Sequence, residues 1–332
     1  MSMLGQYILL IRAPNLFTVP SNILSGYFAT TLLGDANIAQ LLLLIFSSIF
    51  LYVAGIILND YFDINLDRKE RPNRPLASGQ ITKRSALLIA TSSIVAGNVL
   101  SWYLSWNSFI ISFCLTIVIF IYDYRLKRTP AGNPFIMGSA RFLNVLLGGS
   151  SALGLVTKMD LTLVLIGFCM FLYTVSISLL SLKEVSTSER LSNKAWIPIV
   201  LSFLTVLLTI GSILLTGFSG YFQTAFIFNL IIFSCIMCIS FFQLFSRLKR
   251  ITKPTSQGQY KEGYPNVEEE SDDSMNQSKI SREIQRIVKT MILSIVVLDS
   301  IFLSGLVGIH AGFAVLLLVI PPILLGRKLY VT

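Results

Sequence analysis

The chain has 332 residues, of which 54% are apolar, and its mean hydropathy is +0.72. A composition this hydrophobic excludes an ordinary water-soluble globular protein. The formal net charge is +9. This charge is not evidence for a nucleic-acid partner, because the cytoplasmic loops of membrane proteins are also enriched in Lys and Arg.

Apolar stretches recur from residue 14 to the end of the chain and are long enough to cross a bilayer. A backbone in lipid must satisfy its own hydrogen bonds, so stretches of this kind predict helices. We therefore predict an all-α fold, a polytopic transmembrane helical bundle. The predicted segments are 14–33, 39–59, 85–104, 107–123, 134–155, 161–182, 195–217, 221–246, 287–308 and 312–330.

The connections between segments fall into two alternating sets, and the basic residues are concentrated in one of them. On one side, near residues 34–38, 104–107, 156–160, 218–221 and 309–311, the only Lys or Arg is Lys158. The other side is rich in them, which predicts a multi-pass cell-membrane protein whose termini and motif loops are cytoplasmic. The basic residues on that side, in the connections after segments 2, 4 and 6, are Arg68, Lys69, Arg71, Arg74, Lys83, Arg84, Arg125, Lys127, Arg128, Lys183, Arg190 and Lys194.

The sequence divides into three parts. Residues 1–246 are predicted to form a transmembrane bundle, which residues 287–332 complete. Residues 247–286 are rich in Ser, Gln and charged residues. They cannot bury enough apolar surface to fold, so we predict a disordered cytoplasmic linker. The alternative for its acidic run, 268–273, is a metal or partner site.

Four of the 17 acidic residues fall within eleven positions at the end of segment 2. Asn59, Asp63 and Asp67 are spaced four apart, so on a continuous helix they share one stripe about 12 Å long. That length suits two ions, or one ion and a water-bridged ligand, along an extended polyphosphate. Mg²⁺ binds through one or two carboxylates together with substrate phosphate. The sequence therefore predicts a Mg²⁺–diphosphate site.

The loop that follows, 68–79, contains two prolines that stop the helix. Arg71 and Arg74 then lie beside the carboxylates, and each guanidinium can bind two phosphate oxygens. A capped helix end with ordinary loop charges would explain the arginines. It would not explain the carboxylates, which contribute little to membrane orientation and repel one another at this spacing.

The pattern Asn-Asp-x-x-Asp-x-x-x-Asp over 59–67, followed by Arg-Pro-x-Arg-Pro-Leu-Ala-Ser-Gly over 71–79, resembles the first aspartate-rich motif of the UbiA superfamily of intramembrane prenyltransferases. Arg-Ala-Pro-Asn over 12–15 is similar to the N-terminal pattern of that family. Tyr-Asp-Tyr-Arg-Leu-Lys over 122–127 is similar to its Tyr-x-x-x-Leu-Lys loop.

The resemblance implies a bundle of nine or ten helices around a central cavity that opens to the cytoplasmic side. Two acidic loops would hold Mg²⁺ and an isoprenoid diphosphate. The resemblance adds Asp60 to the predicted metal ligands. It also adds Asn15, Tyr122 and Lys127 to the predicted substrate-binding residues, which include Asn59, Arg71 and Arg74.

The second acidic motif of the family, commonly Asp-x-x-x-Asp, has fewer acidic residues at the expected positions here. Segment 6 ends near Glu184, and a serine, Ser188, stands four residues later. The resemblance assigns the second metal to Glu184 alone, or to Glu184 with Glu189 after loop rearrangement, and places Lys183 at the substrate. Ser-x-x-Glu-Val over 181–185 also resembles the EboC-like branch, which is linked to handling or export of a small metabolite.

Two ionisable groups lie inside apolar segments. Arg141 is about 10 Å from the basic end of segment 5 and shares a face with Asn144. An intramembrane Arg indicates a functional site, so we predict that the two hold the diphosphate or a polar acceptor. The alternative is an Arg that snorkels to the cytoplasmic surface. Asp299 could pair with Arg141, orient an acceptor, accept a proton or form a purely structural ion pair.

These patterns predict an enzyme that moves a prenyl group from an isoprenoid diphosphate to an unidentified nucleophilic acceptor, with Mg²⁺ as cofactor. Asp63, Asp67, Arg74, Lys127 and Glu184 are the predicted catalytic residues, because they stabilise the departing diphosphate. The predicted partners are the prenyl diphosphate, a membrane-soluble or small acceptor and the lipid bilayer, with no nucleic acid. The alternative is a non-catalytic bundle of the same fold that binds or translocates a metabolite or lipid.

Overall fold

The fold is known from a computed structural model, which describes residues 3–31, 33–124, 132–151, 161–182, 196–216, 220–251 and 267–329. The secondary structure of this part of the chain is helical and contains no strand. The helices are α1 (Met3–Leu10), α2 (Ala13–Leu16), α3 (Thr18–Thr30), α4 (Ile38–Phe62), α5 (Ile64–Glu70), α6 (Lys83–Leu104), α7 (Trp106–Tyr124), α8 (Gly132–Gly149), α9 (Leu161–Leu182), α10 (Trp196–Thr216), α11 (Gly220–Ile251), α12 (Val267–Leu306), α13 (Ile309–Leu316) and α14 (Ile320–Leu329).

Each of the ten predicted apolar segments is mostly helical in its described residues, which confirms the all-α prediction. Among the described residues, five helices are long and apolar enough to cross a membrane: α4, α6, α7, α9 and the part of α12 from Ser281 to Leu306. Large apolar side chains such as Phe46, Val95, Trp102 and Phe113 are exposed on the outside of the bundle. A bundle in water would bury such side chains, whereas lipid solvates them.

The helices extend into the stretch predicted as a linker. Helix α11 continues to Ile251 and α12 begins at Val267, so 247–251 and 267–286 are helical, while 252–266 lie outside the described residues. The sequence from 267 to 304 contains no Pro or Gly and is rich in Glu, Gln, Lys and Arg, which are good helix formers. The linker prediction considered the polar composition of this stretch and not its helix propensity. The division of the chain at 246 and 287 stays a prediction.

Four buried apolar clusters form among the described residues, and two of them are large. The larger one lies between α9, α11 and α12 and includes Tyr173, Phe233 and Phe302. The second lies under the acidic motif, where Leu10 of α1 and Ile57 of α4 pack with residues of the loop before α6. This second cluster fixes the end of α4 against α1 and α6. It therefore determines where the acidic side chains point.

Helices α3 and α8 cross with their backbones almost in contact. A Cβ atom on Gly26 would overlap the carbonyl oxygen of Val145, and one on Gly148 would overlap the carbonyl oxygen of Ile23. Small residues at such crossings let membrane helices approach closely. The close approach brings the polar side chains of α3 within reach of α8.

We expect Gly148→Ala to destabilise the protein, because its methyl group would meet the rigid backbone of α3 rather than a side chain that can move. The expected loss is about 1–3 kcal/mol, as for other overpacked sites. Thermal unfolding in detergent would measure it as a lowered midpoint. Gly211→Ala in α10 is the matched control, since its Cβ would meet nothing within 4 Å. An equal loss in both variants would contradict the helix-crossing argument.

Candidate active site

The acidic motif lies where α4 meets α5. Helix α4 ends at Phe62, Asp63 occupies the joint with φ −93° and ψ 4°, and α5 begins at Ile64. The four-residue hydrogen-bond pattern continues across the joint. The amide of Asp63 donates to the carbonyl of Asn59 at 3.0 Å, and the amide of Asp67 donates to that of Asp63 at 2.8 Å. Asp63 thus departs from helical backbone angles at the centre of the stripe, although the hydrogen-bond pattern runs through it.

Two carboxylates of the motif are buried and bridged by arginine. The Nη1 atom of Arg74 lies 3.1 Å from Oδ1 of Asp60 and 2.7 Å from Oδ2 of Asp67. Asp60 also accepts a hydrogen bond from Nη2 of Arg12 at 2.7 Å. Asp60 and Asp67 are seven residues apart, two helical turns, so they project to the same side. The four-residue stripe alone did not reveal this pair.

The arginine side chains are positioned by turns of the backbone. Arg74 precedes a tight loop. In that loop the amide of Ile81 donates to the carbonyl of Pro75 at 3.0 Å, and Gly79 has φ +79°. Arg12 lies between α1 and α2 with φ 47°, a left-handed conformation that is uncommon for a residue with a side chain. Its bond to Asp60 spans 48 positions and ties the N-terminal helices to the motif.

A cavity of about 210 Å³ extends from the motif into the bundle between α4, α7 and α8. Arg12, Asn59, Tyr122 and Asp123 line the end near the motif. Ser48, also in the lining, is eleven residues before Asn59 on α4, so the cavity runs about 16 Å along that helix. Its middle is apolar, and the residues that line it there are Leu51, Ile56, Leu115, Val118, Ile119 and Ile136.

The deep end of the cavity is polar again. Arg141 donates from Nη1 to Oδ1 of Asn22 at 2.7 Å and to the carbonyl of Thr18 at 3.1 Å. Its Nη2 donates to Oγ1 of Thr18 at 2.8 Å. The guanidinium is thus held by α3 inside the bundle and does not snorkel to the surface. Asn144 accepts a hydrogen bond from Ser48 and also lines the cavity.

The predicted site residues fall into three groups. Asn59, Tyr122, Arg141 and Asn144 line the cavity, and Asp60, Asp67 and Arg74 form the ion cluster beside it. Asp63 lies at the helix joint, Arg71 is exposed, and Asn15 contributes its backbone carbonyl, which accepts from Thr18 at 2.8 Å. Four predicted residues lie outside the described part of the chain: Lys127, Lys183, Glu184 and Glu189.

The sequence analysis missed two residues of the site, Arg12 and Asp123. Both belong to motifs that it quoted, in 12–15 and 122–127, so the signal was present. Neither residue was selected. For Arg12 the reason is that its pairing with Asp60 depends on the packing of α1 against α4. Asp123 lies in the last turn of α7, where it is buried and lines the cavity, although an acid at the end of an apolar helix would be expected to be solvated.

The donor chemistry of the motif fits Mg²⁺, since Asn59, Asp60, Asp63 and Asp67 all offer oxygen ligands. Within the described ranges, no three Asp, Glu, His or Cys side chains are grouped closely enough to hold a metal by themselves. This matches an ion that binds through one or two carboxylates and completes its shell with phosphate oxygens and water.

Comparisons with known proteins identify relatives of similar sequence. A digeranylgeranylglyceryl phosphate synthase from Methanosphaera stadtmanae is 28% identical over 222 residues, 64% of this chain and 79% of that relative. The enzyme of the same name from Methanococcoides burtonii is 36% identical over 110 residues. That match covers 30% of this chain and only 39% of the relative's own length.

Two solved structures share the fold. One, from work on digeranylgeranylglyceryl phosphate synthase in membranes, superposes with a TM-score of 0.59 at 22% identity and covers 92% of this chain and 99% of that one. The other is a UbiA homologue from Archaeoglobus fulgidus bound to GPP and Mg²⁺, with a TM-score of 0.55 at 17% identity. That match covers 86% of this chain and 99% of the other.

The sequence profile of the UbiA prenyltransferase family matches residues 20–261, well over half of the chain. This match includes the acidic motif, the cavity-lining helices and Arg141. With its apolar helices, the protein is a multi-pass membrane protein, and it belongs to the UbiA prenyltransferase family.

Proposed function

We propose that the protein transfers a prenyl group from a prenyl diphosphate to a nucleophilic acceptor in a Mg²⁺-dependent reaction. The observation that carries this proposal is the cluster of Asp60, Asp67, Arg12 and Arg74 at one end of a largely apolar cavity. A charged cluster suits a diphosphate head, and the apolar cavity suits a prenyl tail. The Archaeoglobus homologue, which binds GPP and Mg²⁺, supports the same assignment.

The diphosphate would be held where α4 meets α5. Asn59, Asp60, Asp63 and Asp67 are the proposed ligands of Mg²⁺, with Glu184 and Glu189 from the second motif. Bound Mg²⁺ would supply positive charge that stabilises the departing diphosphate. Arg74 now bridges two carboxylates, so it lies within reach of a phosphate that docks beside them. Arg71, Lys127 and Lys183 are proposed to add further positive charge at the same end.

The cavity would hold the prenyl chain away from water. Leu51, Val118 and Ile119 offer an apolar wall, and a dry cavity delays capture of an allylic cation by solvent. Tyr52 and Tyr122 also line the cavity, and aromatic rings can stabilise such a cation. These residues therefore contribute exclusion of water and charge stabilisation rather than proton transfer.

The acceptor is proposed to enter at the deep end, where Arg141 and Asn144 lie. Asn15 supports this end through the hydroxyl of Thr18, which donates to Asn15 and accepts from Arg141. The Methanosphaera relative is named for a product that carries glyceryl phosphate. A cation in the wall of the cavity suits an acceptor of that chemical class.

We also propose that both termini and the motif loops lie on the cytoplasmic side. The support is the asymmetry of Lys and Arg between the two sets of connections. Prenyl diphosphates are anionic, so a site on the basic side of the protein would also attract them.

We expect Asp63→Ala to lower Mg²⁺-dependent release of diphosphate by about a hundredfold or more, the usual cost of removing one group that stabilises developing charge. Release of inorganic diphosphate from geranylgeranyl diphosphate by purified protein in nanodiscs would measure this. Asp35→Ala is the control, because Asp35 is an exposed acid that follows α3 at its end remote from Thr18. If the wild-type protein releases no diphosphate from donors of any common chain length, the non-catalytic carrier becomes the better assignment.

We expect Arg74→Gln to lower kcat/KM for the prenyl diphosphate at least tenfold. One charge-assisted hydrogen bond contributes about 1.5–3 kcal/mol, and the variant also leaves Asp60 and Asp67 facing each other with less compensation. Steady-state kinetics at saturating Mg²⁺ would measure the change. Arg84→Gln, at an exposed arginine near the start of α6, serves as the control. Equal kinetics in the two variants would exclude Arg74 from the diphosphate site.

A further inference from the structure

A buried polar network connects the cavity to the interior of α12. Asn22 of α3 and Asp299 of α12 are both fully buried. The Nδ2 atom of Asn22 donates to Oδ2 of Asp299 at 2.8 Å, and Oγ of Ser25 donates to Oδ1 at 2.7 Å. On its other side, Asn22 accepts from Arg141 at 2.7 Å. One amide therefore stands between a cation of the cavity wall and a carboxylate of the core.

The chemistry of the network fixes the orientation of the amide. A guanidinium only donates hydrogen bonds and an ionised carboxylate only accepts them. The amide of Asn22 must therefore present its oxygen to Arg141 and its nitrogen to Asp299. A carboxylate or an ammonium group at position 22 could satisfy one neighbour but not both. The residue type at this position is thus explained by the two charges that it connects.

The network links Arg141 and Asp299 through Asn22 without a direct contact between the two charged groups. Among the described residues, no salt bridge joins them directly. Three N–H groups of Arg141 donate to Thr18 and Asn22, which fixes the plane of the guanidinium, while the residue still lines the cavity. A direct bidentate pair would occupy the face of the guanidinium that a carboxylate or phosphate prefers. The indirect arrangement balances the charge and leaves Arg141 able to bind an anion.

We propose that Asn22 and Asp299 are positioning residues that hold Arg141 in the cavity wall as the binding site for the anionic group of the acceptor. This inference rests on the proposed prenyl transfer and adds to it the charge of the acceptor and the residues that set its location. The anion would lie in the deep half of the cavity, about one helical turn short of the level of Ser48 and Asn144. The acceptor's nucleophile would then face the apolar middle, where the prenyl chain lies.

A purely structural role for the network must be separated from this one, because it also joins α3, α8 and α12. The probes are a glyceryl phosphate ether with one geranylgeranyl chain and the same ether without its phosphate. Equilibrium binding to the full-length protein in nanodiscs is measured without a prenyl diphosphate, so the result does not depend on turnover. Mg²⁺-dependent diphosphate release is measured separately and tests the proposed function on its own.

The wild-type protein is expected to bind the phosphate ether at least about tenfold more tightly than the uncharged ether. Arg141→Gln should abolish this preference and Arg141→Lys should keep part of it. Asp299→Asn and Asn22→Ala should each reduce the preference several-fold, with little change in KM for the prenyl diphosphate. The same two variants should raise KM for the phosphate ether more than they lower kcat.

Asn229→Ala is the matched control. Asn229 is a similarly buried amide that donates to Ser304 of α12 at 2.7 Å and is not among the residues that line the cavity. It should keep the wild-type preference. The proposal is overturned if the wild-type protein shows no preference, if Arg141→Gln retains it, or if Asn229→Ala loses it as much as Asn22→Ala. It is also overturned if the Asp299 and Asn22 variants fold normally and bind both ethers as the wild-type protein does.

Discussion

Charged groups inside a bundle that crosses a membrane must find their partners within the protein, because lipid offers none. This constraint accounts for both polar ends of the cavity. At one end, Arg12 and Arg74 compensate Asp60 and Asp67. At the other, Asp299 compensates Arg141 through an amide. The two ends differ in one respect: the first pairs its charges directly, while the second keeps them separated.

Helix α3 makes the second arrangement possible. It is only 13 residues long, yet it contacts α8 through Thr18, Asn22 and Gly26. The close backbone approach at Gly26 and Gly148 is what allows a side chain as short as Asn22 to span the gap between two charged groups. A wider crossing would leave the charges unconnected, and each would then carry a large cost of burial. The glycines and the polar network therefore depend on each other.

Much of the fold could be predicted from the sequence because hydropathy is local information. All ten apolar segments are mostly helical in the described ranges, and the all-α membrane architecture is confirmed. The site could be predicted only in part. Spacing identified the acidic motif, but not the break in helical backbone angles at Asp63 or the bridging of Asp60 and Asp67 by Arg74. The bond between Arg12 and Asp60, 48 positions apart, depends on packing that no local pattern encodes.

The contact between Asn22 and Asp299, 277 positions apart, shows the same limit. Sequence reasoning selected both charges, Arg141 and Asp299, because charges in apolar segments are rare. It could not select Asn22, since an Asn near the start of an apolar helix has many ordinary roles.

The order of polarity along the cavity restricts how a reaction could proceed there. A prenyl diphosphate has its charge at one end, so only one orientation matches the charged cluster with its head and the apolar middle with its chain. An anionic group bound at Arg141 would lie about 12 Å from the diphosphate end, since Asn144 contacts Ser48 about 16 Å along α4 and Arg141 is about 4.5 Å before Asn144 on α8. Two anions in one small cavity repel each other, and this separation lowers their repulsion. It also means that the acceptor must reach back to the reacting carbon with an uncharged part of its structure. A compact acceptor whose nucleophile adjoins its anionic group would not meet this requirement, whereas one with a spacer between the two would.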